Sequence, residues 1–468
     1  MDSEKAQFCI SQTCRLLRNG TDFSEFQECL DRLGKLVVAS AQDAELRDAM
    51  ATQESLDSLL LLILAIPVID GDSKGELTLY VRLLRGAVLL LRNLVLSADS
   101  IDSASLFKGL SQLNSAVPAT NSFFARCYIA YFELLANCAS KFGSEWLDLE
   151  AMASHMATIG LDNFLSAKNG LFTTPFNIFI ACSFRSHDAA GALLLDPRLA
   201  PIMTYLSDVD LGEAQELIPV IQEVIVHEKF HTYIMASLEP KPARGAQFLA
   251  SARLGVTEKE DWTNLQCLTI LDWAFSIVKE VAPLVDVSLK SRIWDPEGLA
   301  GLHLTSVLAL DILADLGKFN CAQQFFLEYD VLDVVIPLFR VIRENTTIRD
   351  AKSSRQSTDK RFPVVASIII EILATVCHGS FEAQEKIREL HGLELVLSSC
   401  VIDDDNPFMK ERAILCLRFL LEKNQKNQEF VASLEAQNVA DSSSLEAAGY
   451  EVDLVDGKVQ VKKKQDAT

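Results

Sequence analysis

The sequence predicts an all-α protein with an armadillo- or HEAT-like α-solenoid fold, a right-handed superhelix of stacked helical repeats. Apolar residues recur at alternating spacings of three and four through most of the 468 residues. Leu, Ala, Ile and Val dominate while the chain holds only 20 Gly and 13 Pro, a balance that favours helices over strands. A short apolar frame also repeats in the C-terminal half, as is typical of repeat proteins.

The periodic segments, taken in order, predict helices along most of the chain. In the N-terminal part they are residues 23–51, 56–69, 79–97, 123–141, 146–159, 175–184 and 214–238. Residues 239–260 contain two Pro, two Gly and mixed charge, which predicts a loop or broken helix between two halves. Helical periodicity returns over 263–287 and 302–317.

The C-terminal half carries an internal repeat. Ile312–Leu316 aligns with Ile372–Val376 and with Cys416–Leu420, at offsets of 60 and 44 residues. A glutamine follows each frame at the same distance; these are Gln324, Gln384 and Gln428. The second offset is typical of armadillo and HEAT repeats, and the first is longer by about one inserted loop.

The inserted segment sets the predicted domain boundaries. Residues 340–361 contain seven Lys or Arg against three acidic residues and almost no apolar ones, which predicts a basic, flexible loop. We therefore predict armadillo-like repeats over 1–339 and a C-terminal repeat domain over 340–437 that opens with this loop. A tail follows over 438–468.

The last repeat and the tail have their own signals. Asp403–Glu435 predicts a helix, a turn and a helix, with Asn406 as N-cap because its side chain can accept from free backbone N–H groups. Tyr450–Val461 alternates apolar and polar residues around Asp456-Gly457, which predicts a β-hairpin with a type I′ turn. A lone hairpin is marginal in water, so we expect it to dock against the last helices or to stay loosely ordered.

Charge and composition exclude several partners. The formal net charge is −21, and phosphate contacts need clustered Lys and Arg, so we expect no nucleic acid partner. The longest apolar run, Leu59–Ile69, contains Pro67 and is about half as long as a membrane-spanning helix, so we expect no membrane contact. Solubility explains the acidic balance, and an acidic groove for a basic partner is the alternative.

The N-terminus and the cysteines predict a cytoplasmic protein. Met1–Lys5 lacks the apolar core of a secretory signal. The 11 cysteines are odd in number and form no C-x-x-C pair. Most lie within apolar helical patterns, which indicates reduced thiols that pack as small hydrophobic groups.

One short motif suggests catalysis. His227-Glu228-x-x-His231 matches H-E-x-x-H, in which two histidines one helical turn apart bind zinc while the glutamate polarises its water. Glu258 and Glu260 are the candidates for a third ligand. The alternative is an amphipathic helix with both histidines on one stripe.

Three features argue against the zinc hydrolase. Lys229 adds a positive charge beside the metal position, and Ile234 stands where the metzincin continuation has glycine. No histidine follows at Leu238 or beside it, Glu258 and Glu260 lie in the predicted loop, and no strand-rich sheet precedes the predicted helix. We therefore expect no catalytic residues, no cofactor and no metal ligands.

The C-terminal residues carry a family resemblance. Asp404–Arg418, Asn424–Leu434, the preceding Glu389–Asp404 and the hairpin segment 452–461 resemble the C-terminal domain of the ataxin-10 family. The resemblance implies an armadillo-like fold, a cytoplasmic location, a non-catalytic interaction role and a part in cytokinesis. Fungal members have been called copper transport proteins, but the sequence has no M-x-x-M or C-x-x-C cluster that would suit copper.

The predicted function is therefore a non-catalytic scaffold that binds other proteins. Self-association is open, because a solenoid end exposes apolar surface unless it is capped. A zinc hydrolase and a copper-homeostasis factor are the alternatives. The asparagine of the inner armadillo helix appears once, at Asn93, and is Thr375 and Phe419 in the aligned repeats, so we expect no regular asparagine ladder for extended peptides.

Overall fold

The computed structural model describes most of the chain. The described residues are 3–19, 25–64, 74–116, 123–159, 170–238, 242–290, 296–345, 362, 364–401, 406, 408–434, 450–455 and 458–463. Within them the chain is helical except for one two-stranded antiparallel sheet and short connections. The chain divides into two compact units, Met1–Trp273 and Ala274–Thr468. The predicted all-α helical-repeat fold is confirmed.

The first unit contains helices α1 to α14. Their bounds are α1 Ser3–Asn19, α2 Phe26–Gln42, α3 Ala44–Met50, α4 Gln53–Leu64, α5 Lys74–Leu94, α6 Ser103–Ala116, α7 Phe124–Phe142, α8 Leu149–Ile159, α9 Gly170–Ser183, α10 His187–Leu195, α11 Ala200–Asp208, α12 Ile218–Ile225, α13 Phe230–Leu238 and α14 Pro242–Thr257. Helices α2, α5, α7 and α9 pack side by side in chain order, and α1, α4, α6 and α8 form a second layer against them. Each repeat therefore adds one helix to each layer.

Aromatic rings fill the core between α7 and α9. The Phe132 ring meets Phe172, Phe176 and Phe179 with centroid distances of 5.0, 5.5 and 6.3 Å, each near edge-to-face. All four side chains are buried. Edge-to-face pairs add to the stabilisation that burial alone provides.

The second unit begins within α15 and ends with the hairpin. Its elements are α15 Asn264–Lys290, which crosses the boundary, α16 Pro296–Leu316, α17 Asn320–Glu328, α18 Val331–Asn345, α19 Val365–Cys377, α20 Phe381–Glu389, α21 Gly392–Ser398, α22 Met409–Leu421, α23 Gln425–Ser433, β1 Tyr450–Val455 and β2 Lys458–Lys463. Helices α16, α19 and α22 pack in chain order. The three predicted sequence frames lie at the C-terminal ends of these three helices, so the predicted repeat is confirmed.

Local sequence explains where several helices begin. The side chains of Asp43, Ser186, Ser380 and Asn424 each accept a hydrogen bond from the backbone N–H three residues later. The predicted cap at Asn406 is wrong, because α22 begins at Met409 and its capping residue makes no side-chain bond. The backbone carbonyl of Asn406 instead accepts from the N–H of Met409 at 3.0 Å.

The predicted loops and tail agree only partly with the helices and strands of the structure. Helix α18 extends to Asn345, so residues 340–345 of the predicted basic loop are helical, and 346–361 lie outside the described residues. Most of the segment predicted as a joint is helix α14. Strands β1 and β2 pair antiparallel with Val455 opposite Lys458; the predicted turn at 456–457 lies outside the described residues. The predicted regional boundaries at 339 and 437 stay predictions.

Among the residues that the structure describes, one helix is long and apolar enough to span a membrane, by length and composition alone. It is α16, whose residues Glu297–Leu316 have a mean hydropathy of 1.6. A second candidate exists only if α9 and α10, bent by 117°, are counted as one broken span. Ile312, Leu313 and Leu316 of α16 have no exposed surface and α16 packs on α19, and core helices pass the same test.

All eleven cysteines are free, and eight of them are buried. Burial raises the pKa of the Cys127 thiol to about 12 and that of Cys9 to about 11. Neutral thiols are poor nucleophiles and poor metal ligands. The predicted role of the cysteines as core residues is confirmed.

Candidate interaction surface

The H-E-x-x-H residues do not share a helix. Helix α12 ends at Ile225 and α13 begins at Phe230, so His227 lies in the turn between them. His231 lies on α13, where its Nδ1 is 3.6 Å from Oδ2 of Asp272. The predicted helix that would carry both histidines on one face is therefore wrong, and the two imidazoles serve different contacts.

His227 is held by its own turn. Its side chain is buried, and its Nδ1 accepts a hydrogen bond from the Lys229 backbone N–H at 3.1 Å. Its Nε2 lies against Gly191, where an added Cβ would approach it to 2.7 Å. Burial lowers the pKa of His227, so the ring is neutral near pH 7.

A different trio comes together at this turn. The possible ligand atoms of His187, His227 and Glu228 all lie within 4.8 Å of one another, and His187 Nε2 is 3.1 Å from Glu228 Oε2. Sequence reasoning missed His187, which is forty residues away from His227 and carries no local signal. Glu258 and Glu260 are exposed and do not belong to the trio.

The geometry of the trio is not that of a ready metal site. The His187 and His227 rings stack with centroids 4.1 Å apart and planes 18° from parallel. An imidazole binds metal through a lone pair that lies in the ring plane. Two nearly parallel rings cannot both direct that lone pair at one ion between them, so His187 would have to leave the stack.

A cleft of about 450 Å³ opens in the first unit beside α10, α11 and α13. Its walls are mainly apolar, with Met203, Tyr233 and Phe248 among them. Asp196 at its edge is already paired with Arg198, at 2.7 Å. Thr204, Ser207, Asp208 and Ser237 supply the other polar groups of its lining.

The inner-helix asparagines bind the protein's own backbone. Asn93 on α5 is buried, and its Nδ2 donates to Val37 O at 2.9 Å and to Ser40 Oγ at 3.0 Å. Asn137 follows 44 residues later on α7, and its Nδ2 donates to Arg92 O at 3.1 Å. The prediction that this asparagine appears once, at Asn93, is therefore wrong. Because these amides are engaged internally, neither forms a peptide-binding ladder.

Glutamines link successive repeats in the second unit. Gln323 on α17 donates to Val376 O at 2.8 Å, and Gln384 on α20 donates to Phe419 O at 2.9 Å. Each bond therefore satisfies a carbonyl at the C-terminal end of the next inner helix. The predicted equivalence of Gln324 with Gln384 is off by one residue, because α19 continues to Cys377, one residue beyond its frame, whereas α16 ends with its frame at Leu316.

An apolar row marks one edge of the second unit. Leu304, Val364 and Phe408 occupy the same repeat position, at the offsets of 60 and 44 residues that separate the sequence frames. Their exposed fractions are 45%, 43% and 68%. Because α16, α19 and α22 pack in order, the same position recurs from one repeat to the next, and we call these three residues the apolar row. Single exposed apolar residues are ordinary, but the same position exposed in three successive repeats points to a binding surface.

Stacked helical repeats with an exposed apolar row define a repeat protein of the kind that binds other proteins. The family model for the spinocerebellar ataxia type 10 protein domain matches residues 365–462. The chain belongs to the ataxin-10 family. It is 35% identical over 462 residues to an Ataxin-10 homolog of Debaryomyces hansenii, covering 96% of this chain and 94% of the relative.

Two further relatives show how the similarity is distributed. An Ataxin-10 homolog of Candida albicans is 30% identical over 477 residues, covering 97% of this chain and 98% of the relative. Ataxin-10 of Xenopus tropicalis is 43% identical over 94 residues, covering 20% of this chain and 19% of the relative. The resemblance predicted from the C-terminal residues is confirmed, and with the Debaryomyces hansenii and Candida albicans relatives it extends over nearly the whole chain.

Proposed function

We propose that the protein is a non-catalytic scaffold that acts in cytokinesis in the cytoplasm and binds a partner protein through the apolar row. The observation that carries the proposal is the exposure of Leu304, Val364 and Phe408 at one repeat position. Family membership supports the part in cytokinesis. The separation of the H-E-x-x-H histidines onto different elements supports a non-catalytic role.

The spacing of the row suggests the form of the partner. Packed helices lie about 8–10 Å apart, so successive members of the row are separated by about that distance. An α-helix presents residues i and i+7 on one face at a separation of about 10.5 Å. A partner helix that crosses the repeats, with apolar residues at i, i+7 and i+14, would therefore place one side chain on each member of the row.

The first experiment compares two exposed apolar sites. The triple variant L304S/V364S/F408S and the control L265S are used as bait for capture from cell extract, followed by mass spectrometry. Leu265 is the control because it is 77% exposed but lies outside the row. We expect the triple variant to lose partners that the wild type and L265S both keep. An unchanged partner set, with circular dichroism showing a folded variant, would reject the row as the binding surface.

The second experiment tests the cellular role. Cells depleted of their own family member are supplied with wild type, the triple variant or L265S. We expect the triple variant to leave cells with failed division and several nuclei, whereas wild type and L265S restore division. Full rescue by the triple variant would separate the row from cytokinesis.

A further inference from the structure

The last inner helix, α22, has an uncovered apolar face. Leu310 on α16 and Ile370 on α19 have no exposed surface, because the next inner helix packs over each of them. Ile414 on α22 occupies the same repeat position but is 50% exposed. The difference arises because, within the described residues, no further inner helix follows α22.

Neighbouring positions on α22 show the same change. Leu313 and Leu373 are fully buried, whereas their repeat equivalent Leu417 is only partly covered. Leu421, one turn further on, is also only partly covered. Ile414, Leu417 and Leu421 follow a helical i, i+3, i+7 stripe. We call this stripe the open face of α22; it has the composition of a surface that a further repeat would bury.

The chain carries a segment that suits this face. The β1–β2 register pairs Val452 with Val461 and Leu454 with Val459, and these alternate positions share one face of the two-stranded sheet. The other face carries polar pairs, such as Glu451 with Lys462. A two-stranded sheet with one apolar face is not independently stable in water and needs a surface to pack on.

Two facts connect the hairpin with α22. The family model matches residues 365–462, which run from the start of α19 to β2, so the hairpin belongs to the same conserved unit as the last repeats. Residues 434–449 separate α23 from β1, and a segment of that length can span up to about 50 Å. This reach exceeds the distance of about 10 Å between packed helices, so the hairpin can return to α22.

We infer that the β1–β2 hairpin covers the open face of α22 and closes the second unit in place of a further repeat. The hairpin then serves as a cap of the kind that repeat arrays need at their ends. The strand face that holds positions 452, 454, 459 and 461 then lies over Ile414, Leu417 and Leu421. This inference does not depend on the proposed function, because the apolar row and the open face are different surfaces.

Photo-crosslinking of the intact chain tests the cap. Ile414 is replaced by p-benzoylphenylalanine, the monomer fraction is irradiated, and cross-linked peptides are identified by mass spectrometry. We expect cross-links from position 414 to residues 450–463 of the same chain, and none to these residues from the same probe at Leu265. Cross-links to a second copy, to another part of the chain, or none at all would overturn the inference.

Matched hairpin variants identify the face that docks. In the Ile414-probe background, V452D/V461D changes the apolar face and D453K/Q460K changes the polar face, in each case at a cross-strand pair. We expect the first variant to lose the intrachain cross-link and the second to keep it. Equal cross-linking by both variants would contradict docking through the apolar face. If V452D/V461D fails to fold, the cross-link between position 414 and the unmodified hairpin still tests the inference.

Discussion

Two asparagines of the first unit and two glutamines of the second bond to neighbouring repeats in opposite directions along the chain. In the first unit, Asn93 and Asn137 each lie on a later inner helix and donate to a backbone carbonyl of the helix before it. In the second unit, Gln323 and Gln384 lie in an earlier repeat and donate to the C-terminal end of the inner helix after it. Arg340 follows the second pattern, since it donates to Leu390 O in the next repeat.

The direction of these bonds explains how the C-terminal end of the array is built. The carbonyls of α22 are already bound by Gln384, so its end needs no later repeat for its polar groups. Asn427 and Gln428 donate back to Leu420 O and Leu421 O, both at 2.8 Å, and no further inner helix follows them in the described part of the chain. The carbonyls of residues 419–422 are therefore bound by Gln384, Asn427 and Gln428, so the cap inferred above has to cover apolar surface rather than backbone polar groups.

The cores of the two units also differ. The first is rich in aromatic rings around Phe132, whereas α19 in the second buries every residue except Glu371 and Thr375 and contains no aromatic residue. Aromatic cores lose more on truncation than aliphatic ones because each ring buries more area. Removal of a buried aromatic ring is therefore expected to have the largest effect on stability.

Phe132→Ala should cost the first unit about 4 kcal/mol of unfolding free energy, because a buried ring is removed and a cavity remains. Hydrogen exchange measured by mass spectrometry should show faster exchange in α7 and α9, with little change in α19. The control Ile369→Val removes one methylene from the buried core of the second unit and should cost about 1 kcal/mol. An equal increase of hydrogen exchange in both units after Phe132→Ala would show that the two units do not have separate cores.

Asn93→Ala should destabilise the first unit by about 2 kcal/mol, because Val37 O and Ser40 Oγ lose a buried donor. Asn137→Ala is the matched variant, and its half-buried position predicts about 1 kcal/mol. Urea denaturation measures both. A cost below about 0.5 kcal/mol for Asn93→Ala, the level of an ordinary surface change, would refute the anchoring role.

Gln384→Ala should lower the unfolding free energy of the second unit by about 1.5 kcal/mol, because it leaves the end of α22 without its donor. Gln324→Ala is the control, since Gln324 is exposed and bonds only to Glu328 on its own helix. Its change should stay within about 0.5 kcal/mol. A larger loss of unfolding free energy for Gln324→Ala than for Gln384→Ala would instead support the sequence-based alignment of Gln324 with Gln384.

The smallest expected effect is the dependence of the second unit's stability on pH. Lys426, together with Asn424 and Arg388, lowers the pKa of Glu385 to about 2. The ionised carboxylate therefore stabilises the second unit above its usual pKa, and this contribution is lost as pH falls from about 5 toward 2. The Glu385–Lys426 pair is partly exposed, so we expect less than about 1 kcal/mol.

Comparison of wild type with Lys426→Met checks the pH effect. The variant should raise the pKa of Glu385 toward its ordinary value, and its stability should fall less between pH 6 and pH 3 than that of the wild type. Urea denaturation at the two pH values gives the difference. A steeper loss in the variant would show that Lys426 does not hold the carboxylate ionised.

Some features needed only local sequence. The apolar periodicity placed the helices, and the frames at Ile312, Ile372 and Cys416 identified three inner helices, because a helix buries residues at fixed spacing whatever its neighbours are. The strands of the hairpin were predicted from the alternation of apolar and polar residues around Asp456-Gly457, because successive side chains of a strand lie on opposite faces. Element boundaries were harder to predict, as α22 shows, because it begins at Met409 rather than directly after Asn406.

Other features were decided by the tertiary structure. The sequence could not place His187 against His227, or separate His227 from His231, because those outcomes depend on where α10, α12 and α13 meet. Nor could it show that Ile370 is buried while Ile414 is exposed, since both stand at the same place in the same pattern. The sequence determines which face of a helix is apolar, but whether that face is covered depends on the neighbour that packs against it.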